Sequence, residues 1–124
     1  MIDFQNSAVF KLKPMAIEKI KKEFHLFLIE EEEVFAAFKT IRDQLIFTNK
    51  RVIAANVQGI TGSKVDYTSL PFSKVQAFSV ETAGTFDLDC ELELYFSELG
   101  KVKFEFKGGF DVVRFNRLLS VYIL

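Results

Sequence analysis

Asp87, Asp89, Glu91 and Glu93 recur at every second position. That spacing puts four carboxylates on one face of a single β-strand, with roughly 6.6 Å per two-residue step. Such a row suits a divalent cation, a contact with a basic surface, or plain solvation. Calcium needs six or more oxygens converging from a loop, and a straight strand spreads its ligands, so no metal is assigned. The contact reading has cations available in Lys11, Lys13, Lys19, Lys21 and Lys22, which crowd the N-terminal region. Flanked by Phe10, Phe24 and Phe27, a Lys-rich amphipathic segment also suits an anionic membrane surface, with lipid contact through those five lysines. The run Glu30 to Glu33 opposes it.

Other chemistry-bearing residues point to little. Gly59-Ile60-Thr61-Gly62-Ser63-Lys64 misses the G-x-x-x-x-G-K-S/T spacing of a phosphate loop, and strand patterns flank it on both sides, so no helix N-terminus meets a phosphate. Its G-x-x-G lacks the helical setting of the RNA-binding KH loop, and it reads as a plain loop. His25 is the single histidine, and no Ser or Cys pattern supplies it a nucleophile. Cys90, the single cysteine, alternates with leucines and reads as buried and inert. No catalytic residue and no cofactor is expected, and the chain reads as non-enzymatic.

The elements that must position these residues follow from periodicity. Ile17, Ile20 and Phe24 at i, i+3, i+7 predict an amphipathic helix over about 15–24, opened by Pro14. Short β-branched or apolar runs over Val34 to Ile41, Gln44 to Thr48 and Arg51 to Asn56 predict strands, the last two joined at Thr48-Asn49-Lys50. Lys64 to Leu70 alternates, and Pro71 stops that strand or places it at an edge. Val75 to Thr82 follows.

From Asp87 to Phe96 polar and apolar residues alternate strictly, the mark of a half-buried antiparallel strand. Lys101 to Lys107 repeats the pattern. Matching apolar faces pairs Phe96 with Val102 and Leu94 with Phe104. Glu91 then faces Lys107 and Glu93 faces Glu105, with Glu98-Leu99-Gly100 as the loop. After Gly108-Gly109, Asp111 can cap a helix carrying Phe115, Leu118, Leu119 and Tyr122 on one face.

The 124 residues fit one domain. The 27% charged residues exclude a membrane class, and the 49% hydrophobic share excludes disorder. A net charge of −1 gives no bulk attraction to nucleic acid. No signal peptide or spanning stretch is visible, so the cytoplasm is the expected compartment. The order of elements predicts an α+β domain, a curved sheet or barrel of about seven antiparallel strands closed by a C-terminal helix.

Local sequence adds a resemblance. Arg42 to Ile53, Gln58 to Gly62, Leu70 to Val75 and, most specifically, Glu81-Thr82-Ala83-Gly84-Thr85-Phe86-Asp87-Leu88-Asp89 resemble the bacterial pleckstrin-homology (PH) domain family. The resemblance runs from about Glu30 to Leu124. It implies a PH-like barrel over 30–124 and an N-terminal extension over 1–29 with an extra helix. It also implies a small cytoplasmic protein that forms ring-shaped homo-oligomers, a pentamer as the first expectation, with no settled ligand. Eukaryotic relatives bind phosphoinositides with a basic cluster around the first two strands. Here only Lys39 and Arg42 stand at that turn, beside Asp43, so headgroup binding does not carry over. The Trp usual in the C-terminal helix is absent, and Phe115 or Leu118 must fill its space.

The resulting expectation is a self-assembling binding or scaffold domain. Glu81, Thr82, Thr85, Phe86, Asp87 and Asp89 are its oligomer or partner contacts. The alternatives are a membrane-surface adaptor using the lysines, and a regulatory domain that meets a protein partner at an exposed sheet edge. Fifteen phenylalanines support assembly: Phe4, Phe10, Phe27, Phe72, Phe86 and Phe110 fall in termini, turns or junctions, and exposed apolar patches mark interfaces.

Overall fold

The computed structural model describes residues 1–4, 9–82 and 89–124, with the side chains of Val9 and Phe10 aside. The strands are β1 (Val9–Pro14), β2 (Val34–Lys39), β3 (Gln44–Thr48), β4 (Arg51–Gln58), β5 (Lys64–Pro71), β6 (Val75–Thr82), β7 (Cys90–Phe96) and β8 (Gly100–Phe106). The helices are α1 (Lys22–Phe27) and α2 (Val112–Ile123), with 3₁₀ turns at Ile17–Lys19 and Phe72–Lys74.

The eight strands form one sheet in the order β5-β4-β3-β2-β1-β8-β7-β6. This corrects the expected closed barrel of seven antiparallel strands in two ways. The added strand, β1, joins the halves by pairing antiparallel with β2 and parallel with β8. The sheet also stays open, because β5 and β6 stand at its two ends and do not pair with each other among the described residues. The link between them explains why. Pro71 has no N–H to give, and Phe72 is fully buried with its N–H on the Lys50 carbonyl at 2.9 Å. The chain turns away there before β6 begins.

The expected N-terminal helix is also corrected. Ile20 and Lys21 are extended, at ψ 158° and 134°. The Lys21 N–H goes to Gln44 Oε1 at 2.8 Å rather than to a helical carbonyl. Among the described residues before β2, only the six of α1 are α-helical. The turn and α1 still bury Ile20 and Phe24 against Ala37, Ile46, Ile53 and Ala55 on the outer face of β2–β4. Periodicity therefore named the packed residues correctly, with Ile20 and Phe24 buried and Ile17 half-buried, and the backbone wrongly.

The main core lies between one face of the sheet and α2, with Leu12, Phe38, Phe47, Leu92, Leu94, Phe104, Phe106 and Leu119 at its centre. α2 starts where predicted, with Asp111 Oδ1 accepting the Arg114 N–H at 3.0 Å. Of the two candidates on α2, Leu118 stays half-buried and Phe115 enters the core. Its ring lies 4.9 Å from Phe47 and 5.7 Å from Phe110, both edge-on.

One polar knot fixes the N-terminal cover. The Glu32 carboxylate is buried and receives Arg51 Nε at 2.9 Å, Arg51 Nη2 at 3.0 Å, Thr48 Oγ1 at 2.7 Å and the Ile29 N–H at 3.1 Å. Arg51 also donates to the Phe27 carbonyl and to Ser69 Oγ. Burial alone would raise the Glu32 pKa; the Arg51 and Thr48 bonds outweigh it and hold the carboxyl below its ordinary value.

Candidate functional site: the acidic end of the sheet

The alternation of β7 and β8 is as predicted: Cys90, Leu92, Leu94 and Phe96 face the core, and Glu91 and Glu93 face out. Their register differs from the expected one by two residues. Phe96 pairs with Gly100, Leu94 with Val102 and Leu92 with Phe104, around a Ser97-Glu98-Leu99 loop that Gly100 closes at φ +87°. A two-residue slip keeps every side chain on its face, so alternation does not distinguish the two pairings.

The slip redistributes the charges. Glu91 stands opposite Glu105 rather than Lys107, and Glu93 opposite Lys103 rather than Glu105. Since Glu81 of β6 also pairs with Glu91, three carboxylates cross three neighbouring strands in one transverse row. Directly opposed like charges cost a few tenths of a kcal/mol or more. Lysines of β8 and of the residue just past it offset part of this. Lys103 Nζ lies 3.5 Å from Glu91 and 3.6 Å from Glu93, Lys101 lies 3.5 Å from Glu93, and Lys107 lies 3.2 Å from Asp89. The Lys103 pKa rises accordingly, chiefly through the Glu91 charge. Among the described residues Glu81 and Glu105 have no ion pair.

Three of the six predicted contact residues meet here. Glu81, Thr82 and Asp89 line one shallow depression with Cys90, Glu91, Glu105, Phe106 and Lys107. Glu81 is exposed at the end of β6, which has no strand neighbour but β7 among the described residues. Asp89 is pinned by Lys107 and by the Gly108 N–H at 2.8 Å, which lower its pKa. Thr85, Phe86 and Asp87 lie outside the described residues. Beneath the depression, burial and then the charges of Asp89 and Glu91 push the Cys90 thiol up to about 11. It is protonated at neutral pH and poorly nucleophilic.

The predicted lipid-contact lysines separate into two groups. Lys11 and Lys13 flank an open groove with Lys39, Thr40, Ile41, Arg42 and Asp43. Lys19, Lys21 and Lys22 belong to the 3₁₀ turn and the start of α1. Arg42 ties the β2–β3 loop to the β4–β5 loop by donating to the Gly59 carbonyl. Asp43 reinforces the tie through Val57 N–H at 2.8 Å and Asn56 Nδ2 at 3.1 Å. The loops present Ile41 and Ile60 fully exposed at their tips. Sequence reasoning missed both isoleucines, since nothing local in the chain says which loop residues lack a core to face. His25 is exposed on α1. No described helix is long and apolar enough to cross a membrane.

A mostly-sheet α+β fold with a C-terminal helix against one face is the PH-like fold. The chain belongs to the bacterial PH domain family, whose model matches residues 3–123. It is 43% identical over 103 residues to the uncharacterized protein YjqA of Bacillus subtilis, covering 82% of each chain. Among solved structures it is similar to a DUF1696 family protein with a pleckstrin-homology domain from Shewanella loihica. That match has a TM-score of 0.77 and 36% identity, covering 92% of this chain and 98% of that one. A pleckstrin homology domain from Shewanella amazonensis matches with a TM-score of 0.63 and 38% identity, covering 96% and 93%.

Proposed function

We propose that the protein is a non-enzymatic cytoplasmic binding domain that works as a ring of its own copies, with a pentamer as the first expectation. The observation that carries this is the end of the open sheet. Among the described residues β6 is an unpaired edge whose acidic terminus adjoins a row of opposed carboxylates, and the same chain carries a separate basic groove at Lys11, Lys13, Lys39 and Arg42. Two different, complementary patches on one chain make head-to-tail contacts, which close into a ring when the rotation permits. In this reading Glu81, Thr82, Thr85, Phe86, Asp87 and Asp89 of one copy meet the next. Light scattering at micromolar concentration tests it: a defined oligomer is expected, and a monomer overturns the proposal. Assembly unchanged by Phe86→Asp would remove the contact assignment alone.

A second reading is favoured by Ile41 and Ile60. Two bare isoleucines beside Lys11, Lys13, Lys39 and Arg42 suit docking on an anionic membrane, with apolar tips inserted and cations at the headgroups. Sedimentation with phosphatidylserine vesicles at low salt decides it, and absence of binding discards it.

A further inference from the structure

β1 does not accompany β2 along its whole length. It leaves the sheet after Pro14, which pairs with Phe38, and the last bond to β2 runs from the Met15 N–H to the Ala37 carbonyl at 3.0 Å. From there back to Val34, β2 has no strand on that side among the described residues, and its register with β3 slips between Val34 and Ala36. The vacated track is a slot of about 190 Å³ between the Pro14–Ile17 crossover and the first turns of α2. Met15, Ile17, Phe35, Phe110 and Leu118 line it and are each only half-buried. The volume suits one side chain of leucine or phenylalanine size, well below the range of pockets that hold whole drug-sized molecules.

The rim has a charge. Arg114 borders the slot and Arg117 follows one turn along α2. Neither guanidinium has an ion pair among the described residues. The one acid at the rim, Asp111, is occupied in capping the Arg114 N–H.

We propose that this slot docks an extended segment of a partner protein. The segment continues the track of β1 along β2, buries one apolar side chain among Phe35, Phe110 and Leu118, and places an acidic residue beside Arg114. Strand addition supplies main-chain bonds, while the pocket and the cation select the sequence. The proposal is independent of the assembly reading and uses none of its residues.

Titration of the ¹⁵N-labelled full chain with acetyl-Val-Leu-Val-Asp-amide at millimolar concentration tests it. Saturable shifts are expected at Phe35–Ala37 and in the first turns of α2. Side chains of a strand-paired peptide alternate and so do its N–H groups. Methylating the Leu nitrogen and methylating both Val nitrogens should therefore differ, with one form losing binding at least tenfold and the other retaining it. Replacing Asp by Lys should weaken binding tenfold, and Arg114→Glu should invert that preference. Leu118→Trp fills the slot and should abolish binding while the remaining spectrum persists. No saturable shift, equal binding of both methylated forms, or an Asp-over-Lys preference unchanged in Arg114→Glu overturns the proposal. So does a slot already filled by a second copy, seen as the same amides shifting on dilution when light scattering reports dissociation.

Discussion

At the scale of single residues, Glu32 has the most to lose. Its carboxylate accepts four hydrogen bonds while buried, and Arg51 provides two of them. Removing the cation by Arg51→Met leaves a buried charge without compensation. It should cost about 3 kcal/mol, the low end for a buried pair because Arg51 is partly exposed, read as a lowered urea midpoint. The pH dependence has a definite sign. The folded pKa of Glu32 lies below the unfolded one, so the unfolded chain binds the proton more readily. The stabilisation is complete above the unfolded pKa, near 4.5, and is lost as pH falls through the folded value. Urea midpoints between pH 6 and pH 3 should fall less steeply in Glu32→Gln than in the unmodified protein. Cys90 gives a second test. With its pKa at about 11, on the order of one thiol in a thousand is ionised at pH 8. A disulfide reagent should leave the native protein nearly unlabelled and label it fully in denaturant.

Among the elements, the β7–β8 hairpin shows what periodicity conveys and what it leaves open. The strict alternation from Cys90 to Phe96 assigned the two faces, yet the expected register and the observed one both keep those faces, and the turn decided between them. The consequence is testable at Glu105, which opposes Glu91. Glu105→Lys turns a repulsive cross-strand pair into an attractive one and should raise stability by about 0.2–1 kcal/mol. If the acidic row is the assembly contact, the same substitution should weaken assembly, so thermal melting and light scattering should move in opposite directions. The N-terminal cover was legible in part for a related reason. Ile17, Ile20 and Phe24 share a side whether they lie on one helix or on a 3₁₀ turn, an extended pair and a short helix. Neither Ala16 nor Lys21 offers a side-chain cap, and Gln44, which captures the Lys21 N–H, is remote in sequence. β1 was invisible because one of its partners is the parallel strand β8 and its track is broken by a bulge at Lys11, φ +57°. Phe24→Ala should remove the anchor of the cover and cost about 3–5 kcal/mol, measurable in urea.

For the whole molecule, the aromatic count means something other than the sequence suggested. Of the phenylalanines whose side chains are described, only Phe27 is exposed. Phe4 and Phe72 are buried, and Phe110 packs edge-on against Phe38 and Phe106. Rings from Phe35 to Phe115 form one connected network under α2, so they stabilise the monomer and do not argue for assembly. That argument now rests on the open sheet and its separated charges. It predicts salt sensitivity, because the screening length shrinks from about 10 Å at 0.1 M salt to about 3 Å at 1 M. Sizing across that range should show smaller species at high salt, and Glu81→Lys should reproduce the effect at low salt. The parallel seam between β1 and β8 has a consequence in time. Leu12 and Phe106 are register partners more than ninety residues apart, and Leu12 is fully buried. β1 cannot take up this pairing until β8, with six described strands between the two along the chain, is present. Such distant pairing slows folding and leaves the waiting edges open to wrong partners, and of the pairings in the sheet the seam that joins the two halves closes the longest stretch of chain.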